Sequence, residues 1–194
     1  STDIHPTHSY AANGSYTVKL TATNNYGCSD TKELNNIIDV VTPVAAFTAS
    51  DYVGNCPPLI VNFTNQSSNY LSQTWNFGDN TSTLTDNPSH FYSISGTYDV
   101  VLTVKGPGGC TASSAPATIT VHGPRGSFSY DKTSICPNVA VNFTANTFNT
   151  TSMVWDFNDG TTQSGMDTIY SHTYTTVGNY LPKLLLKDNA GCIV

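Results

Sequence analysis

Apolar and polar residues alternate along much of this chain. Tyr98, Val100, Leu102 and Val104 interleave with Asp99, Val101, Thr103 and Lys105, the period of two expected of a strand with one buried face. Tyr16, Val18, Leu20 and Ala22 alternate in the same way with Thr17, Lys19, Thr21 and Thr23. A second kind of strand reads Ile60-Val61-Asn62-Phe63-Thr64 and again Ala140-Val141-Asn142-Phe143-Thr144, with Val61, Phe63, Val141 and Phe143 facing inward. A third holds Thr74-Trp75-Asn76-Phe77, with Trp75 and Phe77 on the buried face. Near the C-terminus Pro182 falls on the inward row between Tyr180 and Leu184. Proline cannot donate to a ladder, so a bulge or an open edge is expected there. No window has a helical period. Many short strands, punctuated by Gly, Pro and Asn, predict an all-β sandwich.

The same pattern returns at a fixed interval. His8, Tyr10, Gly14, Tyr16, Leu20, Gly27 and Cys28 recur 82 residues later as His90, Tyr92, Gly96, Tyr98, Leu102, Gly109 and Cys110. They recur again as His172, Tyr174, Gly178, Tyr180, Leu184, Gly191 and Cys192. A second set, Cys56, Val61, Asn62, Phe63, Thr64, Trp75, Phe77 and Asp79, returns 80 residues on as Cys136, Val141, Asn142, Phe143, Thr144, Trp155, Phe157 and Asp159. Such self-similarity marks a tandem array of one module. The register divides the chain into residues 1–42, the C-terminal part of one unit; 43–122, a complete unit; and 123–194, a unit lacking its last strand. It predicts a parent protein that continues in both directions. The connections Val41-Thr42-Pro43-Val44 and His122-Gly123-Pro124-Arg125-Gly126 are short and contain proline, which favours a semi-rigid rod over a flexible tether.

Composition narrows the functions. Only 10% of residues are charged, with 29 Thr and 19 Asn, and the net charge of −6 has no local focus. The seven Lys and Arg form no basic patch, so nucleic acid is not an expected partner. No apolar run approaches the roughly 20 residues of a membrane span.

Five cysteines would leave one unpaired. The register places Cys56 and Cys110 in the middle unit and Cys136 and Cys192 in the third in matching roles. Disulfides Cys56–Cys110 and Cys136–Cys192 are therefore expected, with the partner of Cys28 lying upstream of Ser1. The alternative is buried free thiols; no CxxC or ligand-spaced histidine set accompanies the cysteines to make a zinc site. Disulfides imply an oxidising compartment, hence an extracellular, secreted or cell-surface protein.

The turn after the Trp strand reads Gly78-Asp79-Asn80 in one unit and Asn158-Asp159-Gly160 in the next. Gly and Asn best tolerate positive φ, so both positions flanking the aspartate are expected to be left-handed, with the carboxylate accepting bonds from turn N–H groups. Trp75-Asn76-Phe77-Gly78-Asp79-Asn80 and Trp155-Asp156-Phe157-Asn158-Asp159-Gly160 resemble the WDFGDG signature of polycystic kidney disease (PKD) repeats. His90-Phe91-Tyr92 and Gly96-Thr97-Tyr98 resemble the H-x-Y…G-x-Y ending of that family. The resemblance covers nearly the whole chain and implies tandem immunoglobulin-like sandwiches of about seven strands. With its added cysteines the chain is similar to PKD arrays in secreted surface proteins of Bacteroidetes-type bacteria, gliding-motility-associated adhesins among them.

Every chemically suggestive residue has a structural role available. A residue kept in each copy builds the module more readily than it performs chemistry, so Trp75, Phe77, Asp79, His90, Tyr92, Tyr98 and their counterparts Trp155, Phe157, Asp159, His172, Tyr174 and Tyr180 are read as architecture. His90 and His172 are expected to hydrogen-bond a neighbouring loop. Tyr16, Tyr98 and Tyr180, each two residues after a glycine, are expected as corner tyrosines. No nucleophile is placed beside the histidines, so no enzyme is expected. Asp79, Asp86, Asp156 and Asp159 offer oxygen atoms to calcium, but their spacing matches no full calcium loop, and the expectation is no cofactor. The chain is read as a non-catalytic stalk or filament segment of a large adhesin-like protein. Its partners would be neighbouring units of the same chain and other copies in a fibre. The alternatives are a module that binds surface polysaccharide or protein through loops, with Tyr70 and Phe148 as candidate contacts, and a spacer of a secreted hydrolase.

Overall fold

The computed structural model describes residues 1–194, and its regular structure is β apart from one 3₁₀ turn at Pro107–Gly109. The N-terminal unit is an antiparallel ribbon of β1 (Gly14–Thr23) and β2 (Ser29–Val40). The middle unit contains β3 (Phe47–Ala49), β4 (Val53–Gly54), β5 (Leu59–Asn65), β6 (Ser72–Asn76), β7 (Ser82–Thr83), β8 (Ser89–Tyr92), β9 (Gly96–Lys105), β10 (Thr111–Ser113) and β11 (Ala117–Val121). The last third contains β12 (Arg125–Tyr130), β13 (Ala140–Phe148), β14 (Ser152–Asp156), β15 (Thr162–Gly165), β16 (Ile169–Thr173) and β17 (Lys183–Lys187).

Each of the two later units is a sandwich. In the middle unit β3-β5-β8 faces β4-β11-β9-β6-β7, with β10 also paired to β9. The third unit repeats this as β12-β13-β16 against β15-β14-β17. The alternation in β9 does what the sequence requires. Val100, Leu102 and Val104 are fully buried, while Asp99 and Lys105 are exposed. Each such aliphatic side chain contributes about 1.5–3 kcal/mol by burial. Trp75 fills the centre, 5.0 Å from the Phe47 ring and 5.4 Å from that of Phe63. Trp155 sits equivalently, 5.4 Å from Phe128 and 5.7 Å from Phe143. Phe77 and Phe157 lie one residue past their strands and are buried as well.

Two places depart from simple alternation. At Pro182 the structure has a shortened strand in place of the expected bulge or open edge: β17 begins only at Lys183, and Gly178 to Pro182 stay outside the sheet. In the ribbon, Val18 and Leu20 do not face a core. They are 40% and 67% exposed, because no second sheet packs on the ribbon.

The strand ladders define two poles for the middle unit. At the proximal pole, where the chain enters, an ideal Cβ on Gly106 would lie 3.2 Å from Pro43, and the Asn69 amide donates to the Thr42 carbonyl. At the distal pole, where the chain leaves, Gly54, Val121 and Gly96 lie side by side. The ten residues of β9 run from one pole to the other.

The turn after β6 has the predicted backbone. Gly78 and Asn80 have φ of 82° and 69°, and Asn158 and Gly160 have 59° and 89°. Gly78 is needed for a second reason, since an ideal Cβ there would lie 2.6 Å from the Asp99 nitrogen. In the third unit the residue aligned with Asp99 is Leu181, outside the sheet, and asparagine occupies position 158. Gly160 has open space around it. Gly160→Ala is therefore expected to cost only the left-handed penalty of about 1–2 kcal/mol, and Gly78→Ala clearly more. Urea unfolding followed through Trp155 and Trp75 respectively checks this ordering; equal losses would contradict the backbone contact at Gly78.

Candidate functional site

The repeated aspartate and histidine meet in one latch. Asp79 Oδ1 accepts hydrogen bonds from the Thr81 backbone N–H at 3.0 Å and hydroxyl at 2.5 Å. Its Oδ2 pairs with His90 Nε2 at 2.7 Å. The His90 ring stacks on Phe77 at 3.9 Å and meets Tyr92 edge-on at 4.6 Å. Tyr92 donates its hydroxyl to the Phe77 carbonyl at 3.0 Å. The latch thus ties the β6–β7 turn in one sheet to β8 in the other. The third unit copies it, with Asp159 Oδ2 2.7 Å from His172 Nε2 and the His172 ring 3.9 Å from Phe157.

Corner tyrosines continue the chain of rings. Tyr92 stacks on Tyr98 at 4.5 Å, and Tyr98 donates to the Ile94 carbonyl at 2.7 Å. Tyr180 donates to the Thr176 carbonyl and Tyr16 to that of Ala12, each four residues upstream. The loops are fixed as the glycine–tyrosine spacing implied.

Electrostatics favour a charged aspartate. Burial pushes the Asp79 carboxyl up, but hydrogen bonds from Thr81 and His90 outweigh it and hold the group below its ordinary range. Asp159 is lowered by the same balance. Burial, followed by the Asp79 charge, raises the Tyr92 phenol, so it remains a neutral donor.

The acidic residues named for calcium are dispersed. Asp86 Oδ1 accepts from Tyr70 at 2.9 Å and from Asn65 at 2.8 Å, and Asp156 caps the Asn158 N–H at 2.9 Å. Asp79 and Asp159 are committed to their latches, and no group of three acidic, histidine or cysteine side chains converges. Tyr70 and Phe148 do not form an aromatic platform either. Tyr70 packs on the core, and Arg125 lies 4.7 Å over the Phe148 ring.

The cysteines correct the expected pairing. One disulfide joins Cys56 to Cys192, with Cα atoms 5.5 Å apart, while Cys28, Cys110 and Cys136 are free and exposed. Neither Cys56–Cys110 nor Cys136–Cys192 forms. The reason lies in strand length. Cys56 sits at the distal pole and Cys110 at the proximal pole, separated by β9, whose ten residues span roughly 30 Å. A disulfide requires Cα atoms within about 7 Å. Cys192 occupies the proximal pole of the third unit, which abuts the distal pole of the middle one. Cys56 follows Gly54, which Val121 joins to Gly96 at the start of β9, whereas Cys110 follows the other end of β9, so the two cysteines of a unit lie at opposite ends.

The junction is packed as well as bonded. The Ser95 hydroxyl, almost fully buried, donates to the Pro124 carbonyl at 3.3 Å. Gly123 has φ of 136°, and an ideal Cβ on it would lie 2.6 Å from Pro57. Asn149 donates to the Gly123 carbonyl at 3.1 Å from the other side.

The PKD domain family matches residues 1–38, 40–121 and 126–194. The chain belongs to that family: an all-β, tandem immunoglobulin-like array of PKD domains. Collagenase ColA of Bacillus cereus is 37% identical over 67 residues, a stretch covering 34% of this chain and 7% of that protein. Among solved structures, one of carbohydrate-binding modules from the β-sandwich superfamily aligns at 17% identity and TM-score 0.38, over 75% of this chain and 84% of that one. A fibronectin(III)-like module structure of Clostridium thermocellum CbhA aligns at 14% identity and TM-score 0.32, over 76% and 88%. PKD domains are typically non-catalytic modules of extracellular proteins, and no helix here is long and apolar enough to cross a membrane.

The latch has a defined pH signature. The folded carboxylate titrates below its unfolded value of about 3.9, so its contribution is complete above about pH 4. It is lost as pH falls through the folded value. Asp79→Asn should destabilise the middle unit by about 1–3 kcal/mol at pH 7, with the gap from wild type narrowing towards pH 2. Urea midpoints across that range check this; an undiminished gap at pH 2 would refute the charged latch.

Proposed function

We propose that this chain is a load-bearing, non-catalytic shaft segment of a large secreted or cell-surface protein of the adhesin type. The observation that carries the reading is the Cys56–Cys192 bond, which crosses from one sandwich to the next at a sequence separation of 136. A spacer that merely separated two domains would need no covalent tie between their facing poles. On the chain-entropy model a loop of that size stabilises the folded pair by about 5 kcal/mol. The bond also sets a mechanical limit, because tension applied to the chain ends bypasses the enclosed residues. The short proline-containing junction, packed through Ser95, Pro57 and Gly123, supports a stiff connection.

Single-molecule pulling between the termini tests this reading. The bridged sequence separation of 136 corresponds to roughly 450–490 Å of extended chain. The oxidised protein should reach full extension shorter than the reduced protein by that amount, with the third unit never unravelling. Equal extensions with and without reductant would defeat the load-bearing reading. Saturable binding of a polysaccharide or collagen by the oxidised chain would instead favour a ligand-binding module.

A further inference from the structure

The single inter-unit bond has open counterparts at both ends. All three units present a cysteine on the same tight hairpin. The N–H of Asn24, Gly106 and Asp188 donates to the carbonyl of Cys28, Cys110 and Cys192 at 3.0, 2.8 and 3.2 Å. The preceding glycines, Gly27, Gly109 and Gly191, have φ of 84°, 90° and 87°. Of these three hairpin cysteines only Cys192 is bonded. The loop cysteines are likewise paired in register, Cys56 before Pro57 and Cys136 before Pro137, and only Cys56 is bonded. Residues 1–42 hold Cys28 alone, so they offer Cys110 no loop cysteine.

The pole that carries Cys136 is also open. A cavity of about 620 Å³ lies there, lined by Thr133, Ser134, Cys136, Gly178, Tyr180 and Leu181 among others. In the middle unit the counterparts of its two walls, Val53-Gly54 and Gly96-Thr97-Tyr98, are bridged by β11. The linker residues Gly123 and Pro124 close that pole, and Pro57 is buried beneath them. Pro137 is exposed. The occupant of the equivalent place is therefore visible within the same molecule: it is the last strand, linker and hairpin cysteine of the PKD register.

We propose that Cys136, Cys110 and Cys28 are the open halves of the same inter-unit staple, so that the loop cysteine of every unit bonds the hairpin cysteine of the unit that follows it. The array is then a continuous disulfide ladder running across each junction. Cys136 awaits a hairpin cysteine of a following PKD unit, and Cys110 and Cys28 each await the loop cysteine of a preceding one. Closure needs a two-electron oxidant, for which a low-molecular-weight disulfide serves. One cysteine thiolate attacks it and releases a thiol, and the second cysteine then displaces the other thiol from the mixed disulfide. The two cysteine protons leave on the two released thiols. The pairing rule applies to a shaft or a spacer alike, so the test below reads sulfur connectivity alone.

The test appends a second copy of residues 113–194 after Val194, which continues the 82-residue register. It supplies the last strand, the linker and a further unit. After folding in a glutathione redox buffer, alkylation and non-reducing peptide mapping should show Cys136 bonded to the appended copy of Cys192, with Cys56–Cys192 retained. Cys136→Ser should leave that appended cysteine open to alkylation. Cys136 alkylated without reductant while Cys56–Cys192 is intact would overturn the proposal. Should the added unit not fold, the 194-residue chain itself, treated with oxidised glutathione, gives the answer. Bonds joining Cys136 of one copy to Cys28 or Cys110 of another, forming a head-to-tail ladder of oligomers, support the rule. Symmetric Cys136–Cys136 dimers, or monomers only, overturn it.

Discussion

Strand β9 is the constraint on which the rest of the molecule depends. Its inward row of Val100, Leu102 and Val104 is the centre of the middle core. Its edges carry β6 on one side and β10 and β11 on the other. Its first residues hold the corner tyrosine and close over Gly78. Its length also sets the poles far apart, which decides where a disulfide can form. A bond that cannot span the unit must leave it, and the nearest cysteine across the distal pole belongs to the next unit.

The latch and the junction divide the labour of the module. The Asp79–His90–Phe77–Tyr92 set joins the two sheets of one sandwich through a charge-assisted bond, a ring stack and a buried hydroxyl. The junction then joins one sandwich to another through the disulfide and the Ser95–Pro124 contact. Histidine and aspartate side chains that could suggest catalysis are spent on holding a turn. The same set recurs in the third unit, with the Asp–His and His–Phe distances unchanged, which shows that position in the module determines the role.

Much of this was legible in the residues because it is local. The period of two placed the buried rows. The swap of Gly and Asn around Asp79 and Asp159 announced two left-handed positions, and Pro182 delayed the start of β17. The Gly–Tyr spacing marked the corner tyrosines. The ribbon was less legible, since its alternation implies a buried face that Val18 and Leu20 do not have. The disulfide was misread because the repeat register states which cysteines play equal roles but carries no information on the pole at which each one sits. That information lies in the pairing of β4 and β9 through β11, which puts Cys56 and Cys110 at opposite ends of β9.

The claim that the units are stapled across the junction rests on one bond. Digestion of the oxidised 194-residue chain without reductant, with mass mapping of the linked peptides, tests it most directly. The account predicts a peptide pair joining Cys56 to Cys192 of the same copy, whatever bonds Cys28, Cys110 and Cys136 form between copies. A pair joining Cys56 to Cys110, or Cys136 to Cys192, would contradict it.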